Sequence, residues 1–218
     1  MIPTQILRSA EAHLAAVDPV MAQLIEQYGP CTLGRKHRDP FHVLCASIIG
    51  QQVSAKAADT IQARVATLIG APHDAFQHVH FSKATQETLR ACGVSNAKAK
   101  WLLEIAARCA DGRFDPETLA KLDDASLCAA LDALPGIGPW TAEMMLIFAF
   151  DRLDVFSMGD VGLRNAINKL YAPTGRDGKP NKLDEKKTLK ITKPWSPYRS
   201  VACWYLWRGI DGDVGTWT

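Results

Sequence analysis

The chain has 218 residues, between the usual sizes of one and two domains, with 47% hydrophobic and 22% charged; this excludes disordered and collagen-like chains and leaves room for a sizeable core. Lys and Arg number 25 against 23 Asp and Glu, a net charge of +2, which neither announces nor forbids a polyanion partner. Apolar runs such as Met144–Phe150 are far below the ~20 residues of a bilayer span, and MIPTQILRSAEAHL carries no basic n-region or apolar h-region. The expectation is a soluble cytoplasmic protein without a membrane partner.

In chain order, Leu7, His13/Leu14 and Val17, then Val20, Leu24 and Ile25, recur at helical steps, with Asp18-Pro19 supplying a cap and a first-turn proline between two short helices. Asp39-Pro40 starts the strongly apolar segment from Phe41 to Gln51. Ser54 heads a helix whose face is Ala58, Ile61, Val65 and Leu68 and whose stop is Gly70. Further helices are expected at Lys83–Ala91, Ala97–Ala110, Pro116–Leu122, Ala125–Ala133, Trp140–Phe150, Val161–Tyr171 and Pro197–Arg208. No segment alternates over five or more residues, so the fold class is all-α. One long stretch, Ala172–Trp195, reads as irregular. Its Arg176, Lys179, Lys182, Lys186, Lys187, Lys190 and Lys193, against Asp177, Asp184 and Glu185, fit a solvated loop or a contact to a phosphate backbone.

Six cysteines, Cys31, Cys45, Cys92, Cys109, Cys128 and Cys203, are scattered without any Cys-x-x-Cys pair. They read as buried reduced thiols rather than a zinc ribbon, a cluster run or a disulfide framework. His78 and His80 have no acidic or Cys neighbour and make no metal site.

The most informative string is Leu134-Pro135-Gly136-Ile137-Gly138-Pro139-Trp140-Thr141-Ala142, between two apolar helices. Glycines two apart permit a tight hairpin that another chain can approach, and the amides at the start of the next helix favour an anion. Such a turn grips phosphate without reading bases; a plain helix connection uses the same glycines. Asp160, after Met158-Gly159 and before the Leu163, Ala166, Ile167, Leu170 face, is a candidate for chemistry, though an Asp there is also an ordinary N-cap. Asp151 and Asp154 read as surface turn residues.

LPGIGPWTAEMM followed by DVFSMGDVGLRNAI resembles the helix-hairpin-helix and the catalytic-Asp loop of the helix-hairpin-helix DNA glycosylase superfamily. Ala46–Ser54 (ASIIGQQVS) resembles the element that enters the minor groove, and Trp195–Arg208 (WSPYRSVACWYLWR) resembles the last helix of the AlkA-like 3-methyladenine DNA glycosylases. The resemblance covers roughly residues 40 to 210. It implies that Asp160 stabilises positive charge on the sugar and orients or deprotonates the attacking water. It further implies that Gln52 is the wedge, where some relatives place Leu, and that Ser54 is an N-cap able to touch a phosphate. Gly136, Ile137, Gly138 and Thr141 then hold the DNA backbone. Trp140 and Trp207 match the pocket aromatics for a flipped cationic base, worth ~1–2 kcal/mol over a neutral one, although Trp on an apolar helix is commonly core. Trp101, Trp204 and Trp217 read as core. The resemblance also implies that backbone carbonyls of Asp132, Leu134 and Ile137 coordinate Na⁺ or K⁺ against a DNA phosphate.

Departures from the family carry expectations of their own. In the endonuclease III branch the residue before Thr-Ala of the hairpin is a lysine that attacks the sugar; here it is Trp140, so no lyase step is expected. Only Cys203 follows Asp160, so no iron–sulfur cluster is expected. About forty residues before Phe41 do not suffice for the β-rich domain of longer AlkA proteins, implying a compact form. The reading is one glycosylase domain over 1–218, with a central subdomain of 34–150, a second from 1–33 plus 151–218, and an active-site cleft between them. It is a monomer needing no cofactor, acting on double-stranded DNA with a flipped damaged base. Its reaction is hydrolytic release of N3-methyladenine and N7-methylguanine in base excision repair. The alternatives are a glycosylase for deaminated or mismatched bases (uracil, hypoxanthine) and a non-catalytic lesion-binding protein.

Overall fold

The computed structural model describes residues 1–35, 39–174 and 181–211. Arg176, Asp177, Lys179 and Trp217 lie outside the described residues. Twelve α-helices are placed among these: α1 (Thr4–Val17), α2 (Pro19–Tyr28), α3 (Pro40–Gly50), α4 (Ala55–Ile69), α5 (Gln86–Ala91), α6 (Asn96–Ala110), α7 (Pro116–Leu119), α8 (Asp124–Asp132), α9 (Pro139–Phe148), α10 (Val161–Tyr171), α11 (Glu185–Thr192) and α12 (Arg199–Asp211). Most begin at a Ser, Thr or Asp whose side chain accepts a first-turn N–H, among them Asp18, Asp39, Ser54, Ser95, Asp123 and Asp160. Helix α9 is an exception: Gly138 precedes it and brings no side-chain cap. No β-strand occurs among the described residues, as an all-α chain requires. Nor is any helix among them long and apolar enough to cross a membrane.

The chain divides into two compact units, Met1–Lys36 with Asp151–Thr218, and His37–Phe150. In the second unit α3 is apolar on every side, and Phe41, Leu44, Cys45, Ile48 and Ile49 are all buried, so it forms the centre. Around it pack α4, α6 and α9, with Phe76 and Phe81 closing one end edge-to-face, 6.1 Å between centroids. Met144–Phe148 of α9 are buried as well. His42 belongs to this core, its Nδ1 accepting the Phe76 N–H at 3.2 Å.

In the first unit α1, α2, α10 and α12 pack together around two buried carboxylates. Asp18 caps α2 through Oδ1 while Oδ2 accepts Tyr171 Oη–H at 2.9 Å and Trp195 Nε1–H at 2.8 Å. Glu11 Oε1 accepts the Cys31 N–H at 2.7 Å and the Tyr205 hydroxyl at 3.1 Å. Cys31 and Leu33 are buried and the Ile2 N–H donates to Gly34 O at 3.2 Å, so this unit holds the chain through Gly34.

Two expectations from the sequence are corrected. The stretch Ala172–Trp195 is not irregular throughout, since Asp184 accepts the Lys187 N–H at 2.8 Å and starts α11. Its buried positions are Thr188 and Thr192, so no apolar stripe betrays it. Asp154 is no mere surface turn residue: Arg199 holds it in a two-pronged pair, Nε to Oδ1 at 2.7 Å and Nη2 to Oδ2 at 2.9 Å, with Ser196 Oγ adding 2.8 Å.

Candidate active site

Asp160 stands before α10, 8% exposed. Its Oδ1 accepts the Leu163 N–H at 2.7 Å, the ordinary N-cap bond, and also the Trp207 indole N–H at 3.2 Å. The cap bond and the indole bond therefore fall on the same oxygen. Trp207, on α12, is buried. Between them Gly162 leaves space that a side chain would fill, since a Cβ there would lie 3.1 Å from Asp160 Oδ1 and 3.4 Å from Trp207 Cδ1. Two N–H donors on one oxygen fix the carboxylate's orientation at the positive end of α10. Asp160 and Trp207 are thus brought together by α10 and α12.

In the other unit the hairpin joins α8 to α9. Gly136 has φ +78, and a Cβ there would run into the Trp101 ring of α6, so only glycine fits. Gly138 differs: its backbone is extended and nothing lies within 4 Å of its missing Cβ. What that glycine keeps clear is space outside the chain. Ile137 is buried and its N–H donates to Leu134 O at 3.2 Å, so its amide serves the turn itself. The Thr141 side chain is buried too, 3% exposed, and its backbone amide lies in the first turn of α9, which has no side-chain cap. Trp140, next to Pro139, is half-buried.

The carbonyls named for a cation are those of Asp132, at the end of α8, and of Leu134 and Ile137 in the turn. Carbonyls at a helix C-terminus lack intrahelical donors and carry the negative end of the dipole. Neutral hard oxygens of this kind suit a monovalent cation, and the Leu134 oxygen, although it accepts from Ile137, has a second lone pair. Among the described residues no group of three or more His, Cys, Asp or Glu is arranged to hold a metal ion. His80 Nδ1 accepts the Gln77 N–H at 3.0 Å.

Upstream, α3 runs into a turn in which the Val53 N–H reaches Gly50 O at 3.4 Å. Gln51 has φ −55 and ψ 131 and Gln52 has φ +57, the pattern of a type II turn with a non-glycine residue in its left-handed position. Gln52 is exposed and Val53 is 39% exposed. Ser54, also exposed, caps α4 by accepting the Ala57 N–H at 3.3 Å. The structure ties this turn to the hairpin: Gln51 Nε2–H donates to Gly136 O at 2.9 Å.

Residues that the sequence did not single out for function are Gln51, Lys98 and Trp101. Lys98 Nζ donates to Ile49 O at 3.0 Å and Gln51 O at 2.6 Å, while Trp101 lies under Gly136. The i, i+3 spacing of Lys98 and Trp101 on α6 is visible in the sequence, but its meaning depends on partners 35 to 49 residues away.

The chain matches the family model described as HhH-GPD superfamily base excision DNA repair protein over residues 45–195. It is 30% identical to DNA-3-methyladenine glycosylase 1 of Schizosaccharomyces pombe, with 93% of this chain and 87% of that protein covered. To the alkylbase DNA glycosidase-like protein mag2 of the same yeast it is 28% identical, with 92% of each covered. Among solved structures it is similar to the DNA-3-methyladenine glycosidase of Bacillus halodurans, with TM-score 0.73, 36% identity and coverage of 90% of this chain and 86% of that one. It is also similar to the S. pombe 3-methyladenine DNA glycosylase in complex with abasic DNA, with TM-score 0.77, 29% identity and coverage of 92% and 95%. A family match over residues 45–195, more than half its length, makes this chain a member of the HhH-GPD superfamily of base excision DNA repair proteins.

Proposed function

We propose that the chain is a monofunctional DNA glycosylase that hydrolyses the N-glycosidic bond of alkylated purines, N3-methyladenine and N7-methylguanine, in duplex DNA. The observation that carries this reading is the buried Asp160 carboxylate, oriented by Leu163 and Trp207. As the C1′–N bond lengthens, positive charge grows on the sugar and the bonding electron pair leaves with the base. A fixed carboxylate in a site closed to bulk water stabilises that charge without reorganising. Water then forms the new C1′–O bond and loses a proton, for which Asp160 is the available base. An alkylated purine departs as a cation made neutral by the electrons it takes, so no general acid is needed. The relatives' names support this substrate class.

The partner is duplex DNA with the damaged nucleotide flipped out. Gly138 and the amides at the start of α9 take a backbone phosphate, Gln52 fills the gap left in the stack, and Ser54 offers its exposed hydroxyl. Trp140 and Trp207 supply indole surface to the flipped cationic base. The carbonyls of Asp132, Leu134 and Ile137 would hold a Na⁺ or K⁺, which would supply positive charge for a DNA phosphate. The protein acts as a monomer in a reducing cytoplasm, where Cys31, Cys45, Cys92, Cys109, Cys128 and Cys203, all free thiols, stay reduced. Trp140 in place of a lysine leaves no amine to attack C1′, so the product is an intact abasic strand.

A base-release assay on duplexes carrying N7-methylguanine, N3-methyladenine, uracil or hypoxanthine tests the reading. Release of the methylpurines in preference to uracil and hypoxanthine is expected, with no strand scission before alkali and no adduct trapped by borohydride. Preference for uracil or hypoxanthine overturns the substrate, and a trapped adduct overturns the hydrolytic step.

A further inference from the structure

We propose that Lys98 is a positioning residue for the wedge: its ammonium, bridging the carbonyls of Ile49 and Gln51, holds Gln52 in register with the hairpin before DNA arrives. This rests on the glycosylase reading above, in which Gln52 enters the gap left by the flipped nucleotide.

Three observations carry it. First, the turn Gly50–Val53 places a glutamine where a type II turn ordinarily takes glycine. A left-handed conformation at a residue with a side chain is strained by about 1–2 kcal/mol and persists only where the surroundings over-determine it. The side chain at position 52 is therefore not explained by the turn, whereas its exposure is explained by a task outside the chain. Second, the surroundings that hold it are identifiable. Lys98 Nζ donates to Ile49 O at 3.0 Å and to Gln51 O at 2.6 Å, at the helix end where carbonyls lack partners and a cation is favoured. Partial burial pulls the proton affinity of this ammonium below that of an ordinary lysine. Third, the same helix supports the hairpin. Trp101, one turn beyond Lys98 on α6, lies against Gly136, and Gln51 Nε2–H donates to Gly136 O at 2.9 Å.

Lys98, Gln51 and Trp101 thus lock the phosphate-holding hairpin and the strand-wedging turn into one rigid piece. A wedge fixed in advance does not lose conformational entropy when it enters the stack. Lys98 touches neither substrate nor reacting atoms; it acts through the Gln51–Gln52 backbone.

The test uses the full chain and a duplex with 2-aminopurine beside N7-methylguanine, whose fluorescence rises when the stack opens, alongside single-turnover base release. Lys98→Met is expected to slow release by about tenfold, the kinetic equivalent of one charge-assisted hydrogen bond, and to depress the fluorescence rise to the level of Gln52→Ala. Binding to an undamaged duplex should stay within about twofold, since the hairpin amides are intact. Lys98→Arg, which keeps a cationic donor, should restore both signals. The Lys98→Met/Gln52→Ala double variant should be no slower than the slower single one, because both changes disable the same wedge. Multiplying effects, or a wild-type fluorescence rise in Lys98→Met, overturns the proposal. Should thermal melting show Lys98→Met unfolded, Lys98→Gln, a neutral donor, is read by the same criteria. Absence of base release by the wild-type protein is a different result, which removes the glycosylase reading, whereas wild-type flipping unaffected by Lys98 removes only this inference.

Discussion

The indole N–H of Trp207 and the amide of Leu163 converge on Asp160 Oδ1 at 3.2 and 2.7 Å, so the carboxylate cannot turn without giving up one of them. Trp207→Phe separates this orienting role from the stacking role, because Phe keeps an aromatic face and loses the N–H. Loss of a hydrogen bond to a charged group is worth about 1.5–3 kcal/mol. We therefore expect single-turnover release of N7-methylguanine to fall by about tenfold or more, with the binding of abasic duplex nearly unchanged. An unchanged rate in this variant assigns Trp207 to stacking alone. Whereas the catalytic role of Asp160 is implied by the family resemblance, its capping role is legible in the sequence because an Asp beside a Gly loop and before an apolar helical face is a local pattern. The glycines of the hairpin were legible for the same reason, but their reasons differ: Gly136 is required by φ and by Trp101, Gly138 by nothing within the chain. Lys98 was not legible, since its acceptors lie 47 and 49 residues away and no local spacing encodes such a distance.

Helix starts are readable where Ser, Thr or Asp precedes an apolar face, as at Asp18, Asp39 and Ser54. Helix α11 escaped because periodicity detects apolar stripes, and the buried positions here are Thr188 and Thr192 between exposed lysines. The start of α12 hid its anchor likewise, since Asp154 and Arg199 are 45 residues apart. Burial tends to raise the Asp154 pKa, and the hydrogen bonds from Arg199 and Ser196 more than offset it, so the carboxyl ends below its ordinary value. A carboxyl depressed on folding contributes stability above its unfolded pKa of about 3.9, and that contribution is lost as pH falls through the folded value. Asp154→Asn should therefore lower stability by about 1–3 kcal/mol at neutral pH. In urea unfolding at a series of pH values, the gap between variant and wild type should narrow as pH falls below the unfolded pKa of about 3.9 and through the lower folded one. A gap independent of pH would mean that the pair contributes shape rather than charge.

Over the whole molecule, the family match of residues 45–195 crosses the division after Phe150, so neither unit by itself is the family's domain. In the proposed function DNA is met through helix-start amides and a turn glycine, and with a net charge of only +2 that reading predicts a shallow salt dependence of duplex binding. The proposed hydrolysis passes through one carboxylate. Asp160→Asn keeps an oxygen for the Leu163 and Trp207 N–H groups while removing the charge that opposes the developing cation. The decisive measurement is single-turnover release of N7-methylguanine by this variant, with abasic-duplex binding measured on the same preparation. A fall in rate by about three orders of magnitude or more, the scale of losing a main electrostatic stabiliser, with binding retained, is the predicted result; excision at the wild-type rate would contradict the account.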